Sequence, residues 1–144
     1  MKKIVIDTSV IISALIGEQG PSRRLLRKCL EQQLKPVMSN TLFTEYEDVC
    51  FRENIQLRCP LTEADTRQLL NAFYSTSQWV SIHYIWRPNL RDEGDNFLVE
   101  LAVAGNAKYI VTNNVKDFSQ AQLRFNSFSV ITPEQAIKEG IWER

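Results

Sequence analysis

Apolar residues fall along this chain in two alternating patterns, short unbroken runs and stripes spaced three or four apart, and their alternation predicts a topology. Ile4-Val5-Ile6 ends on Asp7 and passes at once into Val10-Ile11-Ile12-Ser13-Ala14-Leu15. A β-branched triplet with no hairpin turn after it reads as a buried strand, which places Asp7 at the strand's carboxyl end. A helix then begins at Val10 and breaks over Gly17 to Pro21. Ser22 is positioned to cap the next, whose stripe is Leu25, Leu26, Cys29 and Leu30. Lys35 to Met38 reads as a second strand and Asn40 as a cap. Leu42, Phe43, Tyr46, Val49 and Cys50 then give one apolar helix face, flanked by Glu45 and Glu47 with Asp48 pointing away.

Thr62-Glu63-Ala64-Asp65 has the form of a capping box opening a helix to about Tyr74, and Trp79 to Tyr84 alternates like a strand. Arg87 to Gly94 reads as a loop. Phe97, Leu98, Leu101 and Ala102 form the core face of a helix ending near Gly105-Asn106. Tyr109 to Val111 and Ser129 to Ile131 read as strands, and Thr132-Pro133-Glu134-Gln135 opens a last helix. Strands alternating with helices predict one α/β/α domain over residues 1–144 with a central, mostly parallel sheet. In such sheets chemistry sits at the strands' carboxyl ends.

Composition narrows the class. A chain of 144 residues, 44% hydrophobic and 24% charged, buries a core of its own and is not disordered. Lys+Arg 17 balances Asp+Glu 17, so a nucleic-acid contact must come from a local patch, for which Arg23, Arg24, Arg27 and Lys28 are candidates. Cys29, Cys50 and Cys59, with the single His83, suit neither a disulfide framework nor a zinc site. The free cysteines on apolar faces read as inert small hydrophobes. No apolar run approaches the length of a membrane span, and a cytoplasmic setting is expected.

The chemistry-bearing residues gather on one side of this sheet. They are Asp7, Glu45 on its helix, Asp92 and Asp95 around the start of another, and Thr112, Asn114 and Asp117 after the Tyr109 strand. Singly each has an ordinary reading: Asp7-Thr8-Ser9 as a helix cap, Glu45 as a solvated flank, Asp95 as a complement to the helix dipole, and Thr112-Asn113-Asn114 as a turn. Together they raise an electrostatic problem. Two carboxylates about 4 Å apart repel by roughly 4 kcal/mol at an effective dielectric near 20. A divalent cation is the one remedy that turns an all-oxygen pocket into a reaction centre, and Mg2+ or Mn2+ prefers such ligands.

Val5-Ile6-Asp7-Thr8-Ser9-Val10, Arg91-Asp92-Glu93-Gly94-Asp95-Asn96-Phe97-Leu98 and Tyr109-Ile110-Val111-Thr112-Asn113-Asn114 with Asp117-Phe118 resemble, in that order, the motifs of the PIN-domain nucleases, and within them the VapC-like toxins of prokaryotic toxin-antitoxin pairs. The resemblance implies Asp7, Glu45 and Asp95 as metal ligands and Asp92 as a loop neighbour. It implies Thr112 as the hydroxyl that orders the pocket, and it chooses Glu45 over Glu47, which periodicity alone cannot. It implies a Mg2+- or Mn2+-dependent endoribonuclease leaving a 5′-phosphate, a protein antitoxin and a homodimer. Arg91 joins Arg23, Arg24 and Arg27 as a nucleic-acid-binding candidate. Ser9 stands where many relatives carry Asn, and Asn114 where a fourth acid is common; either Asp117 supplies that charge or the site runs on three acids, with Asn114 orienting water. Two other readings follow from the same residues: a catalytically degenerate module that binds RNA or a protein, and a phosphoryl-transfer domain with Asp7 as nucleophile, against which Ser9 argues.

Overall fold

The apolar runs at Ile4, Lys35, Tyr109 and Ser129 form strands that pair in parallel, which sets their carboxyl ends on one side of the sheet. The computed structural model describes residues 1–17, 19–82, 96–119 and 127–143. In chain order these form β1 (Lys3–Ile6), α1 (Thr8–Ile16), α2 (Pro21–Leu30), β2 (Lys35–Met38), α3 (Asn40–Cys50), a short α4 (Glu53–Gln56), α5 (Glu63–Ser75) and β3 (Gln78–Trp79). There follow α6 (Asn96–Ala104), β4 (Tyr109–Val111), a 3-10 turn (Val115–Phe118), β5 (Ser129–Ile131) and α7 (Pro133–Glu139). The sheet is five-stranded and wholly parallel, in the order β3-β2-β1-β4-β5.

This order makes β1 central and puts the topological switch point between β1 and β4. The chain runs outward from β1 through β2 to β3, then returns to start again at β4 on the other side. A crevice opens at such a point beyond the carboxyl ends of the strands. β1 and β4 pair through Ile4 with Tyr109, Val5 with Ile110 and Ile6 with Val111. The backbone N–H groups of Asp7 and Thr112 extend the ladders by one step, to Val111 O and Ile131 O, both at 2.9 Å. The residues that follow two neighbouring strands are thereby set side by side.

Helices flank the sheet and bury its strands, as continuous apolar runs require. Ile4, Val5, Ile6, Ile110 and Val111 are fully or almost fully buried. Helix α6 packs on β1, β2 and β4, burying Leu98, Val99, Leu101 and Ala102. It ends where backbone meets sheet: a Cβ at Gly105 would stand 2.5 Å from Val37 Cγ1 and 3.1 Å from Leu101 O. Only glycine permits that approach. Asn106 then turns in the left-handed region, as does Gly140 after α7.

Local chemistry shifts several expected boundaries. Helix α2 begins at Pro21 behind Gly20, with Ser22 buried inside it rather than capping it. The cap of α3 is Ser39, whose hydroxyl accepts from Leu42 N at 3.2 Å, so Asn40 is the first helical residue. Thr62 and Asp65 form the full capping box, and Thr132 caps α7 with Pro133 in the first turn. Of the strand expected over Trp79 to Tyr84, the described residues form Gln78–Trp79 plus one bond from Val80 N to Met38 O at 2.8 Å. His83 and Tyr84 lie outside the described residues. Cys29 and Cys50 are buried, and desolvation pushes both thiols up to about 12, so neither is a nucleophile at neutral pH.

Candidate active site

Asp7 occupies the N-cap position of α1, yet its carboxylate does not cap. The backbone alone closes the helix start, through Val10 N to Asp7 O at 2.9 Å, and no side-chain cap bond forms. The carboxylate turns instead toward β4. Its Oδ2 accepts from the Thr112 hydroxyl at 2.6 Å and from the Ser9 hydroxyl at 3.1 Å. Oδ1 receives no hydrogen bond among the described residues. Asp7 is 9% exposed and Thr112 fully buried, so a carboxylate sits at the carboxyl ends of the two central strands with one oxygen fixed and the other without a bond among the described residues.

The turn after β4 is stitched to α1. Thr112 Oγ1 accepts from Asn114 N at 3.0 Å while it donates to Asp7, so its only proton is committed to the carboxylate. Asn113 Nδ2 donates to Ser9 O and Ser13 Oγ, each at 3.3 Å. Ser9, where the family resemblance would allow Asn, thus serves as a second hydroxyl donor to Asp7. Asn114 is exposed and its side chain does not cap the 3-10 turn that follows it. Asp117 is half-buried in the 3-10 turn, and no described contact links its carboxylate to Asp7 or Glu45.

Glu45 reaches the site from α3. Tyr46, fully buried, donates its hydroxyl to the Ile6 carbonyl. That carbonyl is available because alternate carbonyls of β1 point toward β2, as Lys2 O does to Lys35 N, while the β1–β2 pairing ends at Ile4. The bond locks α3 to the strand that carries Asp7. Glu45 Oε2 is buried and meets no hydrogen-bond donor among the described residues. Burial pushes its carboxyl above the ordinary range; Thr8 works against this and the Asp7 charge adds to it. Thr8 Oγ1 is near enough to favour the ionised form but does not meet Glu45 in hydrogen-bonding geometry, and it too is buried without a partner.

Glu47 has the opposite environment. Arg67 grips it with Nη1 at 3.1 Å and Nη2 at 2.6 Å, and the Tyr74 hydroxyl donates at 2.6 Å. Burial alone would raise its carboxyl, but these bonds and the Arg67 charge outweigh it and hold Glu47 below its ordinary value. It is a structural acid.

Asp7 lies close enough to Glu45 for its charge to add to the rise of the Glu45 carboxyl. Among the described residues no three His, Cys, Asp or Glu side chains stand close enough together to hold an ion. Asp92, Asp95 and Arg91 lie outside the described residues; α6 starts at Asn96, the residue after Asp95. A hard divalent cation suits these two carboxylates, since one oxygen of each lacks any donor among the described residues and the set is all oxygen. Sequence reading passed over Glu100, 5% exposed on α6. Its neighbours Val99 and Leu101 are apolar, so no periodic signal sets it apart.

Comparison with known proteins supplies the family. The PIN domain family model matches residues 3–116. The chain belongs to the PIN-domain family. An uncharacterized protein of Methanocaldococcus jannaschii is 30% identical over 149 residues, covering 95% of this chain and 90% of its own. Among solved structures, FitAB bound to IR36 DNA fragment superposes with a TM-score of 0.55 at 14% identity, covering 98% of this chain and 96% of that one. The likeness to FitAB is one of fold. It agrees with the parallel α/β architecture of this PIN domain, whose Asp7 and Thr112 stand at the carboxyl ends of adjacent strands.

Proposed function

We propose that this PIN domain is a Mg2+- or Mn2+-dependent endoribonuclease, with Asp7, Glu45 and Asp95 as ligands of the ion. The observation that carries this reading is the buried Oε2 of Glu45, which meets no donor among the described residues and whose charge is opposed by burial and by Asp7. A fold leaves a carboxylate in that state at a cost, and such costs concentrate at functional sites. When bound, the ion lowers the pKa of a water and offsets charge developing on a phosphoryl oxygen. The chain's residues hold the geometry. Thr112 and Ser9 fix one oxygen of Asp7, and Tyr46 fixes the helix that presents Glu45. In this reading Asp92 and Asp117 are assigned to outer-shell charge, and Asn114, whose side chain is exposed, to orienting a water.

The substrate is single-stranded or looped RNA, cut to leave a 5′-phosphate. By resemblance to the toxin nucleases among PIN domains, this reading includes a protein antitoxin that covers the site and a homodimer as the active form. The degenerate-module reading is favoured by Asn114, which stands where a fourth acid is common in the family, and by the zero net charge of the chain. Incubation with RNA and Mn2+ decides between them. Cleavage that stops in excess EDTA and in a folded Asp7→Asn protein supports the nuclease. Cleavage undiminished by either refutes it, and calorimetry showing that wild type binds Mn2+ no better than Asp7→Asn leaves the degenerate module.

A further inference from the structure

We infer that a groove at the far end of α1, lined by Gln19, Arg23, Arg24 and Arg27, is a phosphate-binding track for the RNA strand that enters the acid site; the inference rests on the nuclease reading for its substrate. The groove is open, with a volume of about 430 Å3. Its electrostatics run against what a helix start favours. Helix α2 has Gly20 at its N-cap with no side-chain cap and no acid in its first turn. It places Arg23 and Arg24 there, where the dipole is positive and carboxylates are stabilising. Arg27 follows three residues after Arg24, on the same face. Among the described residues no carboxylate pairs with Arg23, Arg24 or Arg27. The next cation, Lys28, is engaged with Glu31 and the Trp142 ring.

Arg24 and Arg27 present positive charge on the first turns of α2 with no acid paired to them among the described residues, a surface that suits a polyanion. Arg23 is held in place, its Nε and Nη2 donating to the Ala14 and Leu15 carbonyls at the α1 carboxyl end. Arg24 and Arg27 are exposed and free to form two-point contacts with phosphate. The groove and the acid site are joined by α1 itself, which begins beside Asp7 and ends under Arg23. Nine helical residues at 1.5 Å rise span roughly 13 Å, about four phosphates of a stacked strand at 3.4 Å each. In a chain of zero net charge, this patch is where a strand leaving the negative site finds compensation.

The test is fluorescence anisotropy with a labelled oligouridylate and full-length protein in EDTA, titrated with salt. The Arg24→Ala/Arg27→Ala protein is expected to bind at least tenfold more weakly, with a salt slope shallower by about 1.4 for two lost phosphate contacts. Arg24→Glu should weaken binding further while melting no lower than wild type, because the acid suits the helix start; that separates lost contact from lost fold. Unchanged affinity and slope in both variants overturn the inference. So does arginine-dependent binding of polyglutamate with arginine-independent binding of RNA, which would assign the groove to an acidic protein segment. Because cleavage is silent in EDTA, a protein that binds through these arginines yet never cuts keeps the track and removes only the nuclease reading.

Discussion

Glu45 and Glu47 lie two residues apart on α3, about 200° around the helix from each other, and the protein treats them in opposite ways. Glu47 is satisfied by a bidentate arginine and a tyrosine hydroxyl, and its carboxyl is held below the ordinary value. Glu45 has a buried oxygen with no donor among the described residues and a carboxyl pushed above that value by burial, with Asp7 adding to it. One stabilises the fold as it stands, and the other is left waiting for a positive charge. Propensity and periodicity cannot distinguish them, because both flank the same apolar stripe. What differs is the partner each face meets: α5 supplies Arg67 and Tyr74, whereas the start of α1 supplies Asp7 and Thr8.

The largest effect that would break this contrast is on activity. Glu45→Gln is expected to lower Mn2+-dependent RNA cleavage by about a hundredfold or more through loss of a metal ligand, while Glu47→Gln leaves kcat within about twofold. Equal losses in the two variants would show that the pairing on the α5 side matters as much as the open carboxylate. Next comes Tyr46→Phe, which strands the buried Ile6 carbonyl and loosens α3 against β1. It should cost about 1–3 kcal/mol by denaturant melt and lower kcat as Glu45 drifts.

A smaller effect sharpens the comparison through pH. Glu47 has a depressed folded-state pKa, so its stabilisation is present above the ordinary glutamate value and disappears as pH falls through the depressed one. Because the pair is partly exposed, 24% for Glu47 and 43% for Arg67, Glu47→Gln should cost only about 1 kcal/mol at pH 7. The two proteins should converge in acid. Glu45 carries the reverse sign: its raised pKa penalises the ionised fold, so the penalty is absent below the ordinary value and complete above the raised one. Glu45→Gln should therefore melt higher than wild type at pH 7, by about 2 °C, and the gain should vanish in acid. Saturating Mn2+ is expected to raise the wild-type melting temperature and leave that of Glu45→Gln nearly unchanged; a metal response that survives the substitution would place the ion elsewhere.

Much of the scaffold was readable in one dimension. The strands at Lys35, Tyr109 and Ser129, the Thr62 capping box and the Thr132 cap were legible because they rest on local chemistry, β-branched runs and side chains bonding to backbone within three residues. Boundaries slipped where backbone rules compete. At Ser39-Asn40 either residue can cap, and only the observed bond to Leu42 N decides. At Gly20-Pro21 the fixed ring angle of proline at the first helical position displaces Ser22 as the start.

The sequence by itself determined that strands and helices alternate, that Asp7 and Thr112 each follow an apolar strand, and that acids outnumber histidines and usable cysteines as candidate ligands. Only the tertiary structure decided that β1 and β4 are neighbours, so that Thr112 donates to an acid 105 residues away, and that Glu45 rather than Glu47 is the unsatisfied one. The physical reason is range. Strand, cap and turn preferences act over a few bonds of chain, whereas burial, desolvation and pairing of a charge depend on which distant side chains fill the space beside it, and that is fixed by the order of strands in the sheet.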